Sequence, residues 1–97
     1  MFKEMKELFQ LKSKMNEIKK RLEGMEIKTL SPKKNIEITI SGSQEIKAVS
    51  ILGDLASCSK EEIASEIKEA ANKAIKESQA MAAKTMAGVA GLGGFGA

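Results

Sequence analysis

Residue types that do chemistry are scarce in this chain, and their spacing decides what they can do. Gly91-Leu92-Gly93-Gly94-Phe95-Gly96 spells GxGxxG. That motif holds a pyrophosphate only when a strand precedes it and a helix follows, so that helical N–H groups face the anion. Here a helical pattern precedes it, which favours a Gly-rich tail over a nucleotide site. There is no His, Tyr or Trp, Asp54 is the only Asp and Cys58 the only Cys. No zinc set and no Ser–His–acid set can be assembled from these residues. The glutamates stand at helical spacings from lysines, as in Lys3/Glu7 and Glu17/Arg21, and read as surface ion pairs. No enzyme, cofactor, metal or small-molecule ligand is expected.

Charge is the one feature with a natural ligand. Lys3, Lys6, Lys12 and Lys14 fall on the amino half of a first helix, and Lys73, Lys76 and Lys84 on the carboxyl half of a last one. These seven lysines are the candidate DNA-binding residues. With three Phe and no other aromatics, stacking platforms for single strands are poorly supplied. Double-stranded DNA held through its phosphates needs lysine and no aromatics. A membrane-surface helix built on Phe2, Met5, Leu8 and Phe9 is disfavoured, because an adjoining heptad already explains that face as packing.

The elements that must position these lysines follow from periodicity. Leu8, Leu11, Met15, Ile18, Leu22 and Met25 form an a/d seam, and Gly24 is a natural stop, so the first helix spans Phe2 to Glu23. Met25–Leu30 is a weak strand. Ser31-Pro32-Lys33-Lys34 is a turn. Ile36, Ile38 and Ile40 alternate with Glu37, Thr39 and Ser41, giving one buried and one wet face. After the hairpin loop Gly42-Ser43-Gln44, Glu45–Leu52 returns with Val49 and Ile51 as its inward pair. Pairing Ile38 with Val49 and Ile36 with Ile51 keeps all four on one side.

Gly53–Cys58 links to the last helix, predicted over Ser59–Met86. Ser59 with Glu62 makes a capping box. Ile63, Ile67, Ala70, Ala74, Ser78, Met81 and Thr85 form its stripe. Such a helix is about 42 Å long, against about 26 Å for twice the radius of gyration of a compact chain of this size. Both helices outreach the strands, so the amino end of one and the carboxyl end of the other are expected to project. The fold class is α+β, in the order α-β-β-β-α, a three-stranded antiparallel meander packed on two long helices. Residues 1–86 form a single domain, and 87–97 a flexible Gly-rich tail.

The chain has 97 residues and a net charge of +3, with a pI near 9.0. So small a domain buries a modest core and gains from a partner subunit. A lone cysteine suits a reducing compartment. No run approaches the length of a membrane span, and the amino terminus lacks the apolar stretch of a secretory signal. A cytoplasmic protein without membrane contact is expected.

The ordered set resembles one family. A Met- and Lys-rich first helix precedes Ile36-Glu37-Ile38-Thr39-Ile40-Ser41-Gly42 and Lys47-Ala48-Val49-Ser50-Ile51. Glu69-Ala70-Ala71-Asn72-Lys73-Ala74 and a Gly-rich end follow. Together they are similar to the YbaB/EbfC family of bacterial nucleoid-associated proteins. The family's "ING" reads Ile40-Ser41-Gly42 here, and Leu52-Gly53-Asp54 replaces its usual "DP". The resemblance implies a tight homodimer with helices layered between two outer sheets. It also implies DNA binding by protruding helix ends, a place in the nucleoid, and a role in chromosome organisation or gene expression. Asn72, unfavourable mid-helix, is expected to make a structural hydrogen bond at a helix or dimer contact. The competing expectation is a protein–protein interaction module that uses the heptad and Ala-rich helices without DNA.

Overall fold

The computed structural model describes residues 2–92, with side chains for 5–88. The elements are α1 (Phe2–Glu23), β1 (Ile27–Leu30), β2 (Ile36–Ile40), β3 (Ile46–Ile51), a 3-10 turn (Leu55–Ser57) and α2 (Lys60–Leu92). The fold is α+β, with an antiparallel sheet in the order β1-β2-β3. α1 has the boundaries that its heptad and Gly24 predict. The Gly24 N–H donates to the Lys20 carbonyl at 3.1 Å, closing the last turn.

The β2–β3 register is the expected one, with Ile36 opposite Ile51 and Ile38 opposite Val49. A bulge follows: Thr39 faces Ala48 but Ile40 faces Ile46, so Lys47 is an extra residue on β3. Both connecting turns place a non-glycine residue in the left-handed region, Lys34 at φ 61° and Gln44 at φ 67°. In each the i+3 amide reaches back, Lys34 N to Ser31 O at 2.9 Å and Gln44 N to Ser41 O at 3.3 Å.

The core is narrow. Ile36, Ile38 and Ile40 are buried beneath Ala70 and Ala74 of α2. Alanine on the helix lets its backbone approach the sheet, so the bulk is supplied by isoleucine. Each such isoleucine contributes about 1.5–3 kcal/mol by leaving water. Ser59 caps α2 as predicted, its Oγ accepting from the Glu62 amide at 3.1 Å. Asp54 caps the preceding 3-10 turn through the Ala56 amide, in the segment where the sequence departs from the family pattern.

Three expectations need correction. First, α2 lies over β1 and β2 and leaves β3 uncovered. Val49 and Ile51 therefore point to the core side of the sheet yet stay 57% and 64% exposed. Second, α1 does not cover the sheet. It makes only a small contact with α2, and it is exposed from Met5 through Glu17, seam residues included. Third, α2 continues through Ala87 and Gly88 to Leu92. A helical glycine costs only about 1 kcal/mol, too little to stop a helix rich in alanine. Residues 93–97, with most of the GxGxxG run, lie outside the described residues.

The radius of gyration is 18.6 Å, against about 12.5 Å for a compact chain of this length. The excess is the two helices, which extend the molecule to 67 × 24 × 17 Å.

Candidate nucleic-acid interface

Both helices are fastened to one turn, Ser41–Gln44. Gly42 N donates to the Leu22 carbonyl at the root of α1, at 2.8 Å. Ser78 of α2 donates its hydroxyl to the Ser41 carbonyl at 2.7 Å and accepts from the Gln44 amide at 3.1 Å. Ser41 Oγ closes the turn by accepting from the amides of Ser43 and Glu45. A Cβ on Gly42 would sit 3.0 Å from Leu22 Cδ2 and Met25 Sδ, so a larger residue there would push both side chains back by a few tenths of an ångström. From this turn α1 departs without packing broadly on the sheet among the described residues. Past Ser78, residues 79–92 of α2 form an overhang of about 21 Å.

At the other end of the sheet, α2 is held by Glu66, which sequence reasoning passes over as a surface carboxylate. It is 4% exposed. Its Oε1 accepts from Ser31 Oγ at 3.0 Å and Lys33 N at 3.2 Å, and its Oε2 from Asn35 Nδ2 at 3.0 Å. Glu66 thus takes the place on the packed stripe given to Ile67, which is 46% exposed. The available signal was polar: Ser31 and Asn35 flank the turn, and Glu66 lies one helical turn before Ala70. Thr29 adds a further bond to Glu77. Polar pins at both ends with alanine between them fix where α2 lies along the sheet.

The Asn35 amide holds the Glu66 carboxyl below its ordinary value of 4.5. The Ser31 hydroxyl and the amide and charge of Lys33 add to this, while burial opposes it. A lowered folded-state value means stability that is present above 4.5 and lost as pH falls from there through that lower value. Urea midpoints measured from pH 6 to pH 3 should fall for the native protein. Glu66→Gln should start lower and show a flatter dependence across that window.

The candidate lysines do not form one group. Lys6, Lys12, Lys14, Lys73, Lys76 and Lys84 are all exposed; the Lys3 side chain lies outside the described residues. On α1, Lys6 and Lys14 are eight residues apart and share a face. Lys12 lies elsewhere, lining a shallow groove with Met5, Leu8 and Phe9. On α2, Lys73 and Lys76 flank the segment packed on the sheet, and Lys84 alone stands on the overhang. The expected Lys3/Glu7 pair lies outside the described side chains, and among the described residues the only ion pair is Lys33–Glu62, at 3.7 Å. Glu17 and Arg21 make none. Asn72 is exposed, so no buried bond within the chain holds it.

Charge is distributed unevenly. α1 carries seven basic and four acidic residues, so the chain's net charge of +3 resides there and the remainder is balanced. Within α2, Glu61, Glu62, Glu66 and Glu69 crowd the amino half, while beyond Lys73 the only acid is Glu77. α1 is therefore the positive element, with Lys19, Lys20 and Arg21 at its root, and Lys84 is the one charge on the overhang. No helix among the described residues is long and apolar enough to cross a membrane.

Comparison with protein families gives a match over residues 1–94 to the YbaB/EbfC DNA-binding family. The chain belongs to the YbaB/EbfC DNA-binding family. That description attaches DNA binding to the family. A search of curated proteins returns no match. Twelve of this YbaB/EbfC member's sixteen basic residues stand on its two helices.

Proposed function

We propose that this protein is a nucleoid-associated homodimer that binds duplex DNA through backbone phosphates and so affects chromosome organisation or gene expression. The carrying observation is the location of charge: the whole net charge sits on a helix that leaves the body of the fold. Lysines that extend into solvent can neutralise phosphates and release counterions without reading bases. Family membership supports the same ligand. The protein acts without catalysis, in the cytoplasm at the nucleoid.

Dimerisation is supported by apolar surface that one chain leaves bare. Leu8, Leu11 and Met15 are 52–65% exposed along the α1 seam, and Ile46, Val49 and Ile51 are 46–64% exposed on β3. These two surfaces are the ones a second copy would cover.

Gel shifts over a salt series test the reading. The logarithm of affinity should fall linearly with that of salt concentration, by about 0.9 per phosphate neutralised. Random competitor DNA should displace the probe nearly as well as any chosen sequence. Absence of binding at low salt would refute the proposal. A second reading, a protein-docking module, is favoured by the Met5–Leu8–Phe9–Lys12 groove. It predicts protein capture that survives nuclease treatment.

A further inference from the structure

We infer that the DNA track runs the full length of α1, ending in a root cluster of Lys20 and Arg21, rather than being confined to the helix tips. The inference rests on the DNA reading above and names a contact point outside the seven lysines already considered. With 3.6 residues per turn, Lys6, Lys14, Lys20 and Arg21 fall within about one third of the circumference of α1. The seam of Leu8, Leu11, Met15, Ile18 and Leu22 occupies a different sector, so the cationic stripe stays open when the seam is covered. Lys6, Lys14, Lys20 and Arg21 are all exposed. Glu17 is the one acid inside the stripe, and it pairs with none of them at 4.0 Å or less.

The root differs from the tip in rigidity. Lys20 and Arg21 lie in the last turn of α1. The Lys20 carbonyl accepts from Gly24, and the Leu22 carbonyl accepts from Gly42 and, at 3.2 Å, from Met25. The backbone that presents these two charges is thus tied to the sheet, so contacts made there order less chain than contacts at a free end. Arg21 also offers a planar fork of donors suited to phosphate oxygens. From Lys6 to Arg21 the stripe covers about 22 Å, or about six base pairs of a duplex at 3.4 Å per step.

Cations in the last turn also suit the helix dipole, so the test must separate binding from stability. The probe is a random-sequence 25-base-pair duplex titrated across a salt series. The variants are K20Q/R21Q, K6Q/K14Q and the charge-preserving K20R/R21K. Melting temperature is recorded for each. K20Q/R21Q should weaken binding roughly tenfold at low salt and reduce the salt slope by about two for each subunit that engages the duplex. K6Q/K14Q should do the same, and K20R/R21K should keep the native slope. If the double variant melts early, K20Q and R21Q singly should each lower the slope by about one per engaged subunit. A native slope in K20Q/R21Q alongside a reduced one in K6Q/K14Q overturns the inference and leaves the DNA reading standing. A native protein that fails to bind at low salt overturns both.

Discussion

Ile38→Ala should lower the free energy of unfolding by about 3–5 kcal/mol, a large part of the 5–15 kcal/mol typical of a domain. Ile38 is the middle of three isoleucines on β2 and is 2% exposed. Its ceiling is Ala70 and Ala74, which have no side chain to swing into the void. The neighbours on its own face, Ile36 and Ile40, are fixed by the strand. The cavity therefore stays open, which places the loss at the upper end of the range for such truncations. Urea unfolding by circular dichroism measures it. Val49→Ala on the same rung is the informative comparison, because Val49 is 57% exposed within one chain. If a second copy covers β3, Val49→Ala should cost about 1–2 kcal/mol and make stability depend on protein concentration. Without such a copy the cost should stay below about 0.5 kcal/mol.

Reversing charge at Lys6 and Lys76 together should weaken duplex binding by roughly a hundredfold at low salt. Each substitution removes a phosphate partner and sets a carboxylate against the phosphate. A charge-assisted contact is worth about 1.5–3 kcal/mol and each 1.4 kcal/mol is tenfold. Both side chains are exposed, so the melting temperature should hold. Adding Lys84→Glu tests the overhang separately, since Lys76 flanks the packed segment of α2 and Lys84 lies beyond Ser78. A double variant that binds like the native protein would show that the grip lies elsewhere on the surface.

Much of this architecture was legible in the residues. The heptad and Gly24 mark both ends of α1, and Ile36-Glu37-Ile38-Thr39-Ile40 sets the strand, its face and its register. Ser59 with Glu62 marks the start of α2. What periodicity does not reveal is which neighbour covers a face. Val49 and Ile51 have the right orientation, but α2 is narrower than the sheet and lies over β1 and β2. Glu66 escaped notice because a carboxylate beside an apolar stripe has the same spacing whether it is solvated or bonded. Its partners, Ser31 and Asn35, are more than thirty residues away in sequence. The end of α2 escaped for a weaker reason: glycine lowers helix propensity without forbidding it. For the site, the lysines could be enumerated from sequence, but their separation into a stripe, a groove edge and an overhang needed the fold.

The Ser41–Gln44 turn has a mechanical consequence. Because it grips the foot of one rod and the waist of the other, it acts as a single bracket that sets the gap between them. Splaying the rods strains the Gly42–Leu22 bond or the two Ser78 bonds, to Ser41 and Gln44, so the gap should resist widening. On the DNA reading proposed above, a duplex held between the rods would have to bend to suit that gap, and its stiffness would become part of how it is chosen.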